Sequence, residues 1–407
     1  MLPEEELSKL RFGMSEVPQP GGQKGDYEEK VTQWFLERSF FRDFTYRNPR
    51  GKKKGEELAD AVVLFDDVAF LVEVKAQYGN HDAIAWATEA SLKALKQVRA
   101  THDSLKTGAI KKLQNEVYGQ VEFDPAKYPN MYGLIILAQQ TEESFDADEL
   151  IPEIKDAGFP VFVFSLKDIE LITQRFDTAG DFVNFIECRT DMRRLTQFRV
   201  NDEENNLLEM AELVPAIYAT RIQPITQEVL TRTVESFRLA ATGELLESRE
   251  WRYGLAIDDM IARAHDLDPG LPWNHEPPSD SAEVARFLGW LTRYRRIRLG
   301  KRMLDKCLLS ESTGEPQYFT HYQKSRGVVS VFIATPQSRE ERVKLLHYLV
   351  NYAMLHYGTG MAFGVVTDAG VSGRSYDYMV SRGQLTDEAI EFLKSHESPF
   401  TDSNEQL

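Results

Sequence analysis

The sequence contains only two cysteines, Cys188 and Cys307, and neither belongs to a CxxC pair or a Cys/His cluster. A disulfide framework and a structural zinc site are therefore not expected. The chain also lacks any run of about 18 apolar residues, so no membrane span is expected. Its first residues, MLPEEELSKLRFG, are acidic and lack the apolar core of a signal peptide. Together these absences predict a cytoplasmic protein.

Positive charge is scarce, because the formal net charge of the 407 residues is −16. A protein that coats nucleic acid with its whole surface is not expected to carry such an excess of acid. A local basic groove remains compatible with it, since screening confines charge effects to about 8–10 Å. Any contact with nucleic acid must then come from clustered basic residues.

The order of apolar patterns predicts an α/β fold with more than one domain, because a domain typically has about 100–200 residues. Residues 1–195 are expected to form a first α/β domain with the element order α-β-β-β-α-β. Residues 196–320 are expected to be mainly helical, and residues 321–407 to form a second, small α/β domain. The predicted elements of the first domain are a helix at 25–38, strands at 40–46, 57–65 and 68–77, a helix at 84–105, and strands at 131–138 and 159–164. In the second, strands at 327–334 and 361–367 flank a helix at 338–357.

The segment GEELADAVVLFDDVAFLVEVKAQ is expected to form a β-hairpin. Asp66 and Asp67 suit a two-residue turn, a role that Asp fills well. With that turn, Asp60 lies opposite Glu73, and Lys75 follows on the same face. Both faces of the two strands are otherwise apolar over most of their length, which indicates central, buried strands. A solvated strand face therefore does not explain these charges.

Two opposed carboxylates on buried strands need positive charge or a proton to offset their mutual repulsion. Directly opposite Cβ atoms lie about 4.5–5.5 Å apart, and partial burial strengthens the repulsion between Asp60 and Glu73. Either one of the two is protonated or a cation lies between them, and oxygen ligands of this kind suit Mg²⁺ or Mn²⁺. The alternative is an internal salt bridge between Lys75 and one carboxylate. The Glu-x-Lys pattern alone is weak evidence, since it also occurs at 28–30 and 153–155.

The hairpin segment resembles the PD-(D/E)xK nuclease superfamily, which has the restriction-endonuclease-like fold. In that family an Asp on the second core strand precedes a Glu-x-Lys on the third, and Asp60, Glu73 and Lys75 match this pattern. Ala59 stands where the motif name has Pro, a position that the family keeps loosely. Glu28, on the first helix, is similar to the helix-one Glu of the Mrr-like branch. The resemblance covers residues 25–140.

The resemblance also implies roles for these residues. Asp60 and Glu73, together with the backbone carbonyl of Val74, are expected to bind Mg²⁺ (or Mn²⁺). Lys75 is expected to orient or help deprotonate the attacking water and to stabilise transition-state charge. Glu28 is expected to hold Lys75 in place or to support a second metal.

Two glutamines are accessory candidates. Gln77 shares the strand parity of Lys75, and Gln97 falls on the helix where several branches of the family place a polar active-site residue. For Gln77 an ordinary strand-end polar residue is an open alternative, and for Glu28 an ordinary acid on a helix surface is another.

Two clusters of basic residues are candidates for binding nucleic acid. The first is the loop RNPRGKKKG ahead of the hairpin, for which a plain solvated loop is the alternative. The second is the segment RYRRIRLGKRMLDK, for which an acidic face of the chain itself or of a partner is the alternative. The residues concerned are Arg47, Arg50, Lys52, Lys53 and Lys54 in the first cluster, and Arg293, Arg295, Arg296 and Arg298 in the second.

The sequence thus predicts a Mg²⁺-dependent endodeoxyribonuclease, which the resemblance associates with bacterial restriction, phage defence or repair. One alternative is a regulatory protein that binds nucleic acid or protein through a nuclease-like fold. Another is an RNA-directed nuclease. DNA is the expected partner, and residues 200–407 are expected to mediate homo-oligomerisation or to bind a partner protein.

Overall fold

The computed structural model describes most of the chain, namely residues 18–20, 25–47, 59–78, 82–115, 119–139, 143–221, 227–248, 250–266, 280–323, 326–369, 375–396 and 398–400. These residues form a mixed α/β structure with two principal sheets. Among the described helices, none combines the length and apolarity that a membrane span requires.

The strands in chain order are β1 Thr45–Arg47, β2 Ala61–Phe65, β3 Val68–Ala76, β4 Lys112–Asn115, β5 Gly119–Glu122, β6 Asn130–Ala138, β7 Phe145–Asp146, β8 Val161–Ser165, β9 Arg199–Val200, β10 Gln317–Gln323, β11 Val328–Thr335, β12 Met361–Asp368 and β13 Tyr376–Arg382. The α-helices are α1 Asp26–Phe44, α2 Ala83–Lys106, α3 Ala147–Leu150, α4 Leu166–Arg175, α5 Ala179–Met192, α6 Glu203–Arg221, α7 Gln227–Thr242, α8 Glu244–Glu247, α9 Trp251–Asp266, α10 Asp280–Gly289, α11 Arg293–Thr313, α12 Arg339–Tyr357 and α13 Asp387–Lys394.

The first sheet has the strand order β1-β2-β3-β6-β8. The pairs β1-β2 and β2-β3 are antiparallel, whereas β6 and β8 continue the sheet in parallel with β3. Strands β2 and β3 are almost wholly buried, because helices cover both faces of the sheet. The predicted α-β-β-β-α-β order is present over this part of the chain, with the β4-β5 hairpin inserted before β6.

Alternate residues of β2 and β3 enter two different cores. Val63 and Phe70 belong to the cluster under α1, α5, α6 and α7, whereas Val62 and Leu71 belong to the cluster under α2. This alternation agrees with the predicted faces of the hairpin. Ala59 is the exception, since it joins the α2 side instead of the face predicted for it.

One predicted strand is wrong in extent. Residues 40–46 were expected to be extended, but α1 continues to Phe44 and only Thr45–Arg47 pairs with β2. Phe40 and Phe44 are spaced by four residues and both are buried in the first core. Helical spacing therefore places both rings against the sheet.

The second sheet has the order β10-β11-β12-β13, with β11 and β12 parallel and both outer pairs antiparallel. Helix α12 covers one face, as its buried Leu346, Leu349 and Val350 show. Helices α9, α10 and α11 cover the other face. The predicted strands at 327–334 and 361–367 and the helix between them are confirmed. Strands β10 and β13 were not predicted from the sequence.

The helices between the two sheets do not share one core. Residues of α6 and α7, such as Met210 and Phe237, pack into the core of the first sheet. Residues of α9 and α11, such as Ile261 and Met303, pack against the second sheet. The segment predicted as a separate helical region thus divides into two groups of helices, one belonging to each sheet.

Candidate metal centre at the end of the central hairpin

The β2-β3 hairpin has the predicted register. Phe65 pairs with Val68 and Ala61 with Val72, so Asp66 and Asp67 form the turn. Asp66 adopts a φ of 55°, a left-handed conformation that Asp tolerates better than most side chains. The tight turn fixes the pairing, and the charged residues therefore collect at the opposite end of the hairpin.

Asp60 ends the regular pairing with β3. Its N–H donates to the Val72 carbonyl at 3.2 Å. This hydrogen bond departs by one residue from the register of the hairpin, in which Val72 pairs with Ala61. Its carboxylate Oδ2 accepts a hydrogen bond of 2.6 Å from the Val74 N–H. The side chain thus takes the place of a backbone acceptor, and this local irregularity explains why Ala59 turns toward the α2 side.

The ammonium of Lys75 lies among the three oxygens that were expected to bind a metal. Its Nζ is 2.8 Å from Oε2 of Glu73, 3.1 Å from the Val74 carbonyl oxygen and 3.8 Å from Oδ2 of Asp60. Both carboxylates therefore face one point, and a cationic group lies at that point. The predicted alternative of an internal salt bridge is present, with Glu73 as the closer partner of Lys75.

Glu73 is buried at the centre of this group, with only 2% of its surface exposed. Burial raises the pKa of Glu73 from its usual 4.5 to about 7, and the negative charge of Asp60 adds to the rise. Lys75 opposes the rise by its charge and its hydrogen bond. One nearby ammonium therefore does not fully compensate the two carboxylates, which is the electrostatic condition that favours a further cation.

The donor set suits a hard divalent cation. Two carboxylates and one backbone carbonyl are oxygen ligands, and Mg²⁺ is commonly held by one or two carboxylates while it keeps several waters. The described residues contain no group of three or more Asp, Glu, His or Cys side chains arranged to hold a metal. The oxygens of Asp60, Glu73 and Val74 are thus compatible with Mg²⁺ or Mn²⁺, with water completing the coordination.

Glu28, which was expected to hold Lys75 in place, contacts a different residue. Its Oε2 accepts a hydrogen bond of 2.9 Å from the hydroxyl of Tyr78, whose oxygen accepts one from the Gly25 N–H at 2.5 Å. The adjacent Glu29, not Glu28, adds to the rise in the pKa of Glu73. Neither Tyr78 nor Glu29 was predicted from the sequence, because the motif spacing does not indicate which face of α1 approaches the hairpin.

The two accessory glutamines lie in different environments. Gln77 is buried just beyond β3, and its N–H donates to the Ala138 carbonyl at 3.0 Å, which extends the pairing with β6. Gln97 is exposed on α2, whereas Val98 beside it packs into the core. Gln97 therefore lies on the solvent side of its helix and not against the β2-β3 hairpin.

Most of the first basic cluster belongs to residues 48–58, which the structure does not describe. Arg50, Lys52, Lys53 and Lys54 lie outside the described residues, as does the side chain of Arg47, although its backbone pairs with Ala61.

Two arginines of the second cluster are buried structural residues, which corrects their predicted role in binding nucleic acid. Arg293 donates from Nε to Asp177 at 3.0 Å and from Nη1 to Asp258 at 2.6 Å, and its backbone N–H donates to Asp181 at 2.6 Å. Arg296 donates to the same Asp258 at 2.6 Å. Each arginine is 1% exposed, so neither guanidinium can reach a phosphate backbone. The alternative of an acidic face on the chain itself holds for this pair.

The other two arginines of the second cluster, Arg295 and Arg298, line a cavity between helices of the two groups. Comparison of the chain with family models, with characterised proteins and with solved structures finds no match.

Proposed function

We propose that the chain is a metal-dependent nuclease that hydrolyses phosphodiester bonds of DNA. The observation that carries the proposal is the convergence of Asp60, Glu73 and the Val74 carbonyl on one cationic position. This group lies at the end of a hairpin that is otherwise apolar. Buried charge of this kind is costly, and strongly perturbed pKa values are typical of functional sites.

The arrangement of the first sheet supports the same proposal. The resemblance to PD-(D/E)xK nucleases implies a core in which the Asp belongs to the second strand and the Glu-x-Lys to the third. Here Asp60 directly precedes β2, and Glu73 and Lys75 belong to β3. Strands β1 to β3 are antiparallel and β6 joins β3 in parallel after α2. We therefore propose the restriction-endonuclease-like core as the finer description of this α/β unit.

Each residue then has a distinct role. A bound Mg²⁺ would supply Lewis-acid activation of the scissile phosphate and of water. Asp60 and Glu73 would hold the cation, and the hydrogen bond from the Val74 N–H keeps Asp60 in place. Lys75 has a long side chain, so its ammonium can turn toward a water or a phosphate oxygen and stabilise the charge that develops there. The burial of Glu73 excludes water from one side of the group.

Cleavage assays with purified full-length protein test the proposal. Supercoiled plasmid, linear duplex, single-stranded DNA and RNA are incubated with Mg²⁺, Mn²⁺ or EDTA. Asp60→Asn keeps an acceptor for the Val74 N–H, and Lys75→Met keeps the aliphatic stem. We expect each variant to lose activity by about 100-fold or more, the usual scale for one electrostatic group in a catalytic site.

The chain provides a matched control in its third Glu-x-Lys triplet. Glu153 lies in a short 3₁₀ segment, Lys155 directly follows this segment, and both side chains are exposed. Lys155→Met should therefore leave cleavage unchanged. Equal cleavage by the wild type and by Asp60→Asn would refute the site. No cleavage of any substrate with either metal would refute the proposed nuclease activity and favour the alternative of a regulatory protein that binds nucleic acid or protein. Cleavage restricted to RNA would assign the chain to the RNA-directed alternative.

A further inference from the structure

A cavity of about 480 Å³ lies away from the candidate metal centre. Its walls come from α5, α7, α11 and β10, so both groups of helices contribute. Arg326, at its edge, donates a hydrogen bond of 3.1 Å to Asp66 in the turn of the β2-β3 hairpin. Lys75 lies at the other end of β3, seven residues after Val68. At about 3.3 Å per residue this separation is roughly 23 Å.

The cavity is rich in positive charge. Four arginines line it, namely Arg232, Arg295, Arg298 and Arg326. No described carboxylate lies within 4.0 Å of the guanidinium groups of Arg295 or Arg298. In a chain with a net charge of −16, such a concentration of guanidinium groups indicates an anionic ligand, because guanidinium donors match phosphate oxygens.

The acids of the cavity do not cancel this charge. Asp181 and Glu187 are the two carboxylates among the lining residues. Asp181 is already occupied, because its Oδ2 accepts hydrogen bonds from the Arg293 N–H and from the Thr178 hydroxyl. With both acids ionised and four arginines, the lining still carries an excess of positive charge.

His321 supplies a second, independent observation. It lines the cavity and is only 5% exposed, yet neither ring nitrogen has a hydrogen-bond partner among the described residues. Burial lowers the pKa of His321 to about 4, and the nearby arginines add to the effect. The ring is therefore neutral near pH 7, with one donor and one acceptor. Buried polar groups without partners are costly and rare, so a ligand that engages the ring would remove this cost.

Two more polar atoms at the cavity are buried without a hydrogen-bond partner in the described part of the chain. They are the side-chain oxygen of Gln323, two residues after His321 on β10, and the indole N–H of Trp290. Aromatic side chains also line the cavity, including Tyr294 and Phe237. The lining therefore combines cations with flat apolar surfaces and with donors and acceptors suited to a heterocycle.

We propose that this cavity binds a nucleoside phosphate, with the phosphate on Arg295 and Arg298 and the base against the aromatic wall near His321. The volume supports this class of ligand, since small-molecule sites typically measure about 300–1,000 Å³. Inorganic phosphate would leave the aromatic wall and His321 unused. The cavity lies beside the turn of the β2-β3 hairpin, at the opposite end of β3 from the candidate metal centre.

Isothermal titration calorimetry of the full-length protein tests the proposal, with AMP, ADP, ATP and GMP as probes. Inorganic phosphate and adenosine serve as half-ligands that carry only the charge or only the base. The titrations use Asp60→Asn protein in EDTA, so binding is measured without nuclease chemistry. We expect saturable binding of at least one nucleotide, with each half-ligand weaker by about tenfold or more.

Two substitutions and one control locate the site. Arg298→Gln removes a charged donor, and His321→Phe keeps the ring while removing both nitrogens. Each should weaken nucleotide binding by about tenfold or more, the scale of one hydrogen bond to a charged group. Lys301→Gln removes a charge from the same helix at an exposed residue outside the cavity, and binding should be unchanged.

Thermal unfolding without ligand first establishes that each variant is folded. An increase in the melting temperature of the wild type with nucleotide, reduced in Arg298→Gln, would support the site independently of calorimetry. No saturable binding of any nucleotide to the Asp60→Asn protein at millimolar concentration would overturn the proposal. Binding that Arg298→Gln and His321→Phe both leave unchanged would also overturn it.

Discussion

Replacing Glu73 with Gln should make the protein more stable at alkaline pH. Without metal, the pKa of Glu73 is raised from 4.5 to about 7, mainly by burial and then by Asp60. At a pH between these two pKa values, the carboxyl of Glu73 keeps its proton in the folded protein and releases it in the unfolded chain. The unfolded state therefore binds fewer protons, and the free energy of unfolding falls as pH rises through this window.

The size of the effect follows from the same two values. Each tenfold change in proton affinity corresponds to about 1.4 kcal/mol, so the difference between 4.5 and about 7 corresponds to about 3–4 kcal/mol. Part of this loss of stability has already occurred at pH 5, because the carboxyl of the unfolded chain is largely ionised there. Between pH 5 and pH 8, Glu73 should thus cost the wild type about 2–3 kcal/mol. The amide introduced by Glu73→Gln stays neutral throughout, so the variant avoids this cost.

Urea unfolding at pH 5 and pH 8 in EDTA measures the effect. We expect the stability difference between Glu73→Gln and the wild type to grow by about 2–3 kcal/mol in favour of the variant as pH rises. The stability contributions of other groups that titrate in both proteins cancel in this difference. Glu153→Gln, at an exposed position, should show no such growth. A difference that stays constant with pH, or moves toward the wild type, would refute the inferred electrostatics of the site.

Two further substitutions test the packing between and within the helices. Arg296→Met should lower the free energy of unfolding by about 3–5 kcal/mol in urea titrations, because it leaves Asp258 with one buried guanidinium fewer. A loss below about 1 kcal/mol would show that the ion pairs of Arg293 and Arg296 with Asp258 contribute little to stability. Gly300→Ala should cost about 1–3 kcal/mol, since its Cβ would lie 1.8 Å from the Tyr253 carbonyl oxygen. Gly360→Ala, with no atom of the described residues within 4 Å of its Cβ, is the control, and equal effects at both glycines would contradict this reasoning.

The hairpin could be predicted because its determinants are local. Asp66 and Asp67 fix the turn, and the alternating apolar residues fix which side chains face each core. What the pattern could not reveal is the irregularity at Asp60. It depends on a hydrogen bond from Val74, fourteen residues away, that replaces a backbone pair. Turn chemistry and periodicity carry no information about a side chain that substitutes for a main-chain acceptor.

The role of the basic segment could not be predicted for a related reason. A dense run of arginines has the same composition whether it binds DNA or fills an acidic interior. Arg293 meets Asp181 and Asp177, which lie 112 and 116 residues earlier in the chain. Only the folded arrangement of α5 against α11 brings them together. The same helix presents Arg295 and Arg298 to the cavity, so one sequence pattern divides between two roles.

The buried arginine cluster limits how the chain can be shortened for biochemistry. A fragment that ends at residue 195 retains the hairpin and the candidate metal centre but loses Arg293, which donates to Asp177 and Asp181 in the folded protein. It also loses α6 and α7, whose side chains complete the first core. Removing one partner of a buried pair typically costs about 3–5 kcal/mol, a large part of the stability of an ordinary domain. Inactivity of such a fragment would reflect unfolding, and the hairpin's chemistry has to be assayed in the whole chain.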